Sequence, residues 1–251
     1  MGFAVLNPSY GARSTMVRPS RDRAPDLAAD RARALALTPV SRETTDRLDR
    51  FVELLLRWQQ TIHLIAPSSV PKLWTRHIAD SLQLLGLAPD AKVWVDLGSG
   101  GGFPGLVVAC ALADRPSARV HLVESNEKKA AFLREAVRVS GAPALVHAER
   151  LETILGGLVG STDIVTARAV APLPRLLDQC FELLKGGAQG LFPKGQDVEV
   201  ELTEASKYWN MRATLAPSRT DPKARIVMIS ALERRPAAQD EATDSIGPRT
   251  G

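Results

Sequence analysis

Residues 96–105 read Asp96-Leu97-Gly98-Ser99-Gly100-Gly101-Gly102-Phe103-Pro104-Gly105, placing four glycines in five positions between a β-branched run and a helical one. Glycine takes positive φ at little cost and lets the backbone approach a bound molecule closely, so this spacing marks a loop that wraps a small ligand. Two registers coexist. Asp96-x-Gly98-x-Gly100-x-Gly102 is the pattern of a loop for S-adenosylmethionine (SAM), while Gly100-x-Gly102-x-x-Gly105 is that of a dinucleotide. Glu124, at the end of the next strand, suits the ribose hydroxyls of either ligand. The glycines alone leave the choice open, but charge narrows it. A carboxylate at Asp96 opposes a pyrophosphate at the helix N-terminus and attracts the ammonium and sulfonium of SAM. No Tyr-x-x-x-Lys pair serves hydride chemistry, since Tyr208 is followed four residues later by Arg212. SAM is the expected cofactor, with an NAD-dependent oxidoreductase as the alternative.

The elements that must hold this loop follow from periodicity. Runs at Lys92–Asp96, Val120–Glu124, Ala144–Ala148, Ile164–Ala167 and Gly190–Phe192 predict strands. Between them lie helical stretches at Gly105–Leu112, Glu127–Val139, Pro174–Leu184 and Val198–Tyr208. Such alternation builds right-handed βαβ units, hence a doubly wound, mostly parallel α/β sheet. Ala213–Leu215 and Ile226–Ile229 flank a Pro-Ser-Arg-Thr-Asp-Pro turn and predict a closing antiparallel hairpin. Upstream, Ser41 as N-cap and apolar Leu48, Phe51, Val52, Leu55 and Ile62 predict an amphipathic helix, and a second helix is expected over Val70–Leu85. The domain reading is a basic, disordered extension over 1–40, a helical cap over 41–90, a catalytic α/β domain over 91–234 and a disordered tail over 235–251. The arginines of the extension allow a phosphate-contacting arm as a sharper alternative.

Composition removes several classes. The chain has 251 residues and a formal net charge of +4, which permits a nucleic-acid partner without demanding one. Aromatic residues make up only 5%, too few for an aromatic base-stacking platform. The two cysteines, Cys110 and Cys180, form neither a disulfide framework nor a CxxC motif. No run approaches the roughly 18 apolar residues of a membrane span. A cytoplasmic protein without membrane attachment is expected. His63, His121 and His147 are scattered and read as packing residues, and no metal-ligating set is proposed.

The glycine loop together with Arg76-His77-Ile78-Ala79-Asp80-Ser81 resembles the bacterial small-subunit ribosomal RNA methyltransferase G family, also called glucose-inhibited division protein B. Phe132-Leu133-Arg134-Glu135, Ala148-Glu149-Arg150, Arg168-Ala169, Pro193-Lys194-Gly195 and Arg225 extend the likeness in order over roughly residues 45–232. The chain departs from the family pattern after Trp58, where Ile62-His63-Leu64-Ile65 stands in place of Asn-Leu-Thr. The resemblance implies a class I SAM-dependent methyltransferase fold, seven-stranded with an antiparallel C-terminal hairpin. It also implies methylation of N7 of guanine-527 in 16S rRNA, within the 30S subunit or an assembly intermediate, by a monomer. A non-catalytic rRNA-binding assembly factor is a further alternative.

The implied cofactor residues are Asp96, Gly98, Gly100, Gly102, Phe103, Glu124, Ala148, Glu149 and Arg168. Gly98, Gly100 and Gly102 would shape the methionine pocket, Phe103 would close one side, Glu124 would bind ribose, and Ala148 with Glu149 would meet adenine. His77, Asp80, Arg168 and Lys194 are candidates near the acceptor, with none assigned as a catalytic residue. Arg76, Lys194 and Arg225 are candidates for RNA phosphates or for plain solvent-facing charges. Taken alone, Arg76 and Asp80 at i,i+4 read as a surface ion pair and His77 as a satisfied histidine. The residues also bear on the acceptor atom. Cys110 and Cys180 fall in apolar helices, away from the thiolate role that cytosine C5 chemistry requires. After the fourth strand, Thr166-Ala167-Arg168-Ala169-Val170-Ala171-Pro172-Leu173 lacks the Asn/Asp-Pro-Pro-aromatic segment of exocyclic amine methylation. Guanine N7 has a free lone pair and no proton to lose, so alignment suffices.

Overall fold

The computed structural model describes residues 26–236. Helix α1 spans Leu27–Leu37 and α2 spans Arg42–Trp58. An irregular helical segment follows: a 3-10 turn at Pro67–Lys72, a π-wound turn at Trp74–Ala79, the short α3 at Asp80–Leu82, and a second 3-10 turn at Gln83–Leu87. The α/β part then runs β1 Val93–Leu97, α4 Gly105–Leu112, β2 Arg119–Val123, α5 Glu127–Ser140, β3 Ala144–His147, α6 Leu151–Ile154, β4 Ile164–Ala167, α7 Leu173–Lys185, β5 Gln189–Lys194, α8 Val198–Ala205, β6 Trp209–Pro217 and β7 Arg225–Arg234.

The strands form one seven-stranded sheet in the order β3-β2-β1-β4-β5-β7-β6. The first five are mutually parallel, and β7 runs antiparallel to both β5 and β6. Order reverses at β1, whose neighbours are β2 and β4, so the crevice beyond the C-terminal end of β1 is where an open α/β sheet receives ligands.

Two apolar cores cover the two faces of the sheet. Trp94, Leu122, Leu191 and Ile226 point to one, where α2, α4, α5 and the irregular segment pack. Val95, Val165, Phe192 and Val227 point to the other, beneath α7 and α8. Alternation along each strand sends successive side chains to opposite cores, and so β1 is apolar on both faces. Helix α4, Gly-Leu-Val-Val-Ala-Cys-Ala-Leu, lies between sheet and cap with all but Ala111 buried, which is why it lacks a polar face. Helix α2 is amphipathic and buries Leu48, Phe51, Val52, Leu54 and Leu55, with Ser41 Oγ accepting from Thr44 N at its start. Each of these large side chains contributes roughly 1.5–3 kcal/mol on burial. Helix α5 stops at Gly141, whose left-handed φ of 66° lets its N–H reach back to Val137.

Several expectations are corrected. The extension assigned to 1–40 is ordered from Leu27 onward, because α1 docks on the irregular segment through buried Asp30. Asp30 Oδ2 accepts from Trp74 N at 2.8 Å and Thr75 N at 3.2 Å, and Oδ1 accepts from Thr75 Oγ1 at 2.7 Å. Arg31 is not available to phosphates: it forms a bidentate pair with Asp49 of α2 at 2.7 and 2.6 Å, and its guanidinium lies over Trp74. The rest of the arm, residues 1–25, and the tail 237–251 lie outside the described residues. The helix expected over Val70–Leu85 is four short pieces, since Pro67 and Pro71 and the winding at Trp74–Ala79 break a regular ladder. Helix α8 ends at Ala205, not Tyr208, and β6 and β7 are longer than their apolar cores predicted.

Candidate active site

The glycine loop leaves β1 at Leu97 and turns through three left-handed residues: Gly98 at φ 64°, Gly100 at 53° and Gly102 at 89°. Any other L-residue would meet a Cβ–carbonyl clash there. Space is also short. A Cβ on Gly98 would stand 2.7 Å from Val170 Cγ2, and one on Gly105 would stand 2.6 Å from Asp96 Oδ2. Gly98 is exposed and Gly100 half-buried, whereas Gly102 is buried against Phe51, so the first two face the crevice and the third seats the loop on the cap.

Two carboxylates hold this loop. Glu124 Oε2 accepts from Gly100 N at 2.9 Å, and its Oε1 accepts from Asn126 N at 2.8 Å, so it links the loop to the start of α5. Asp96 is fully buried below the loop, not open to a ligand as the sequence suggested. Its Oδ2 accepts from Gly105 N, the first N–H of α4, at 3.1 Å, while Oδ1 has no partner among the described residues. Burial is the main force on this group and pushes its pKa up to about 7, against the opposing Gly105 hydrogen bond. The carboxyl group thus occupies the helix N-terminus at which a pyrophosphate would sit.

A second constellation stands beside the loop. Arg168, just past β4, donates from Nη2 to His77 Nδ1 at 2.6 Å and from Nη1 to Arg76 O at 3.2 Å. Its guanidinium lies 5.2 Å from the Phe103 ring centroid and 3.9 Å from Asp80 Oδ2. A guanidinium only donates, so His77 Nδ1 accepts and the ring proton resides on Nε2. That Nε2–H then donates to Ser69 Oγ at 2.9 Å, and Ser69 Oγ donates to Ala66 O at 2.7 Å. Burial, then the Arg168 and Arg76 charges, push the His77 pKa down to about 3, keeping the ring neutral. Asp80 is shifted upward by burial, against hydrogen bonds and nearby arginines. Its Oδ1 accepts from Thr220 Oγ1 at 2.7 Å and Gln83 Nε2 at 2.8 Å. The expected Arg76–Asp80 pair is replaced by Arg168, leaving Arg76 exposed.

The structure therefore brings His77, Asp80 and Arg168 together next to the glycine loop, with Arg168 directed to the cap. Phe103 is buried between Phe51 and His77, with centroids 5.4 and 4.8 Å away, so it joins loop to cap and does not line an open wall. Half-buried Ala148 and exposed Glu149 follow β3 on the same side of the sheet. Lys194 is not free for phosphate: Nζ donates to Glu201 Oε2 at 2.7 Å and to Ala171 O at 3.0 Å. Glu201 Oε2 also accepts from Leu173 N at 2.6 Å, so the pair clamps the segment after β4. Arg225 is half-buried and folds back on its own turn, donating from Nη1 to Pro222 O and Ala224 O at 2.8 Å each.

Sequence reasoning missed Ser69, Gln83, Glu201 and Thr220, none of which carries a local signal; Thr220 meets Asp80 across 140 residues. It also described His121 and His147 as scattered. On adjacent strands their Nδ1 and Nε2 lie 2.9 Å apart, with His121 pushed down to about 4, chiefly by burial.

Comparison with known proteins agrees with this architecture. A model of the rRNA small subunit methyltransferase G family matches residues 44–223. A Bradyrhizobium sp. strain BTAi1 protein named ribosomal RNA small subunit methyltransferase G is 62% identical over 83% of this chain and 94% of its own length. A Nitrobacter hamburgensis protein of the same name is 58% identical over 90% of this chain and 87% of its own. Among solved structures, an O-methyltransferase from Bacillus cereus in complex with SAH aligns at TM-score 0.52 and 14% identity, covering 81% of this chain and 97% of the other. That likeness establishes the class I methyltransferase fold alone. With a family match over most of its length and relatives well above half identical, the chain belongs to the rRNA small subunit methyltransferase G family.

Proposed function

We propose that this protein is a SAM-dependent methyltransferase acting on N7 of a guanine in small-subunit ribosomal RNA. The observation that carries the reading is the left-handed glycine loop beside β1, with Asp96 already occupying the α4 N-terminus. The residues suit SAM. A buried unpartnered carboxylate oxygen under the loop favours a cationic ligand, and the glycines form a cradle that added Cβ atoms would fill. Gly98, Gly100, Glu124, Ala148, Glu149 and Arg168 are the residues proposed to hold it. When bound, SAM supplies an electrophilic methyl group on a sulfonium.

The protein's own work is alignment. N7 needs no deprotonation, and His77 offers none: Nδ1 is taken by Arg168 and Nε2 by Ser69. His77 instead fixes the Arg168 guanidinium at the crevice, beside Asp80. Cys110 and Cys180 are buried and pushed up to about 12, so neither supplies a thiolate for pyrimidine chemistry. Orientation of the reactants then contributes most of the acceleration.

The substrate is read as a small ribosomal subunit or an assembly intermediate, because a loop base must be unstacked to be reached. The protein is read as a monomer and as cytoplasmic, where such particles assemble. The test incubates the protein with labelled SAM and small subunits lacking the modification, then maps the label. Label at a guanine N7 supports the proposal. Label on another atom, or none, refutes it, and binding of NAD in preference to SAM would revive the oxidoreductase.

A further inference from the structure

We propose that the turn between β6 and β7, residues 218–224, is a docking element for the phosphate backbone of the RNA substrate, carried by Arg219 and Lys223. The inference rests on the rRNA reading above and adds to it where the RNA is held.

Topology places the turn. Strand β7 is antiparallel to β5 and pairs Arg225 with Lys194, so the turn emerges at the C-terminal ends of the parallel strands, as the glycine loop and Arg168 do. The turn is fixed by polar bonds. Thr220 Oγ1 donates to Asp80 Oδ1, Arg219 N donates to Gln83 Oε1 at 2.8 Å, and Gln83 Nε2 reaches Ser218 Oγ at 3.3 Å. On the turn's side these bonds use only the Arg219 backbone and the short side chains of Ser218 and Thr220. Arg219 and Lys223 are exposed, and neither forms an ion pair among the described residues. The acid of the turn, Asp221, accepts instead from Lys223 N at 2.9 Å.

Lys194 and Arg225, the cations that the sequence suggested for phosphate, are tied to carbonyls and to Glu201. The cationic side chains left outward on this rim include Arg219, Lys223 and Arg76. Asp80 sets their register with the site, because one of its oxygens holds the turn and the other faces Arg168. Phosphate contacts position a nucleic acid without reading its sequence, and a turn locked beforehand loses little entropy when it engages them.

The test compares Arg219→Ala/Lys223→Ala with Lys92→Ala/Arg119→Ala, which removes equal charge at the opposite, N-terminal ends of β1 and β2. The probe is unmodified small subunits, followed by methyl-transfer kinetics and by binding across a salt series. The turn variant is expected to raise KM for subunits about tenfold at moderate salt with kcat within about twofold, and to flatten the slope of log affinity against log salt by about two. Arg219→Lys/Lys223→Arg should restore wild-type values, because phosphates respond to charge. Unchanged KM and slope, or an equal loss in the control pair, would overturn the proposal. A wild-type protein that methylates no subunits would instead refute the rRNA reading itself.

Discussion

Asp96→Asn separates what the buried carboxyl group costs the fold from what it gives the ligand site. Its pKa is pushed from an ordinary 3.8 up to about 7 by complete burial. The unfolded chain therefore loses this proton near pH 4 while the folded chain keeps it until about pH 7. A group shifted upward in this way contributes no penalty below pH 4, an increasing one from pH 4 to 7, and a constant one above. At about 1.4 kcal/mol per unit, the full cost is about 4 kcal/mol, of which about 3 develops between pH 5 and pH 8. Asparagine keeps an oxygen for Gly105 N and carries no charge. The ligand-free variant should thus gain stability relative to wild type by about 3 kcal/mol on going from pH 5 to pH 8, read from denaturant midpoints at both. Calorimetry at pH 8 should show the same variant binding SAM more weakly, since the attraction for a cationic ligand is gone. A stability difference independent of pH, or a variant that destabilises further as pH rises, would refute the burial argument.

Gly98→Ala adds strain at a left-handed residue and a Cβ 2.7 Å from Val170 Cγ2; a loss of about 2–4 kcal/mol is expected in unfolding, with SAM affinity falling in parallel. Glu124→Ala frees Gly100 N and Asn126 N, and should lower SAM affinity at least about tenfold by calorimetry. Asp30→Ala leaves the backbone donors Trp74 N and Thr75 N without their acceptor and Thr75 Oγ1 with only the long bond to Lys72 O at 3.4 Å. It should cost about 3 kcal/mol or more and expose α1 to amide exchange, and unchanged protection of α1 would remove its docking role. Lys194→Ala should destabilise by about 1–3 kcal/mol, yet leave the salt slope of RNA binding unchanged.

The α/β half of this fold was legible because its signals are local. Ile164–Ala167 and Gly105–Leu112 match the structure residue for residue, since a β-branched run and an apolar helix declare their periods within a few positions. The loop was legible for the same reason: its glycines must adopt backbone angles that other residues avoid. Helix α1 was not, because its placement rests on distant partners: Asp30 meets backbone 44 residues away and Arg31 pairs with Asp49 of α2. An arginine in sequence is equally a phosphate ligand, a surface charge or an internal clamp. Arg31, Arg168 and Arg225 prove to have carboxylate, imidazole or carbonyl partners, whereas Arg33 and Arg76 are exposed.

By itself, then, the sequence determined the order of elements, the ligand loop and the family, all of them properties of neighbouring residues. Tertiary structure alone decided which charges are spent inside the molecule. Asp96 lies beneath the loop, Lys194 clamps the segment after β4, and His77 has both nitrogens engaged. The physical reason is that burial and a fixed partner set the charge and reach of a titratable group, and both are supplied by chain segments far away in sequence.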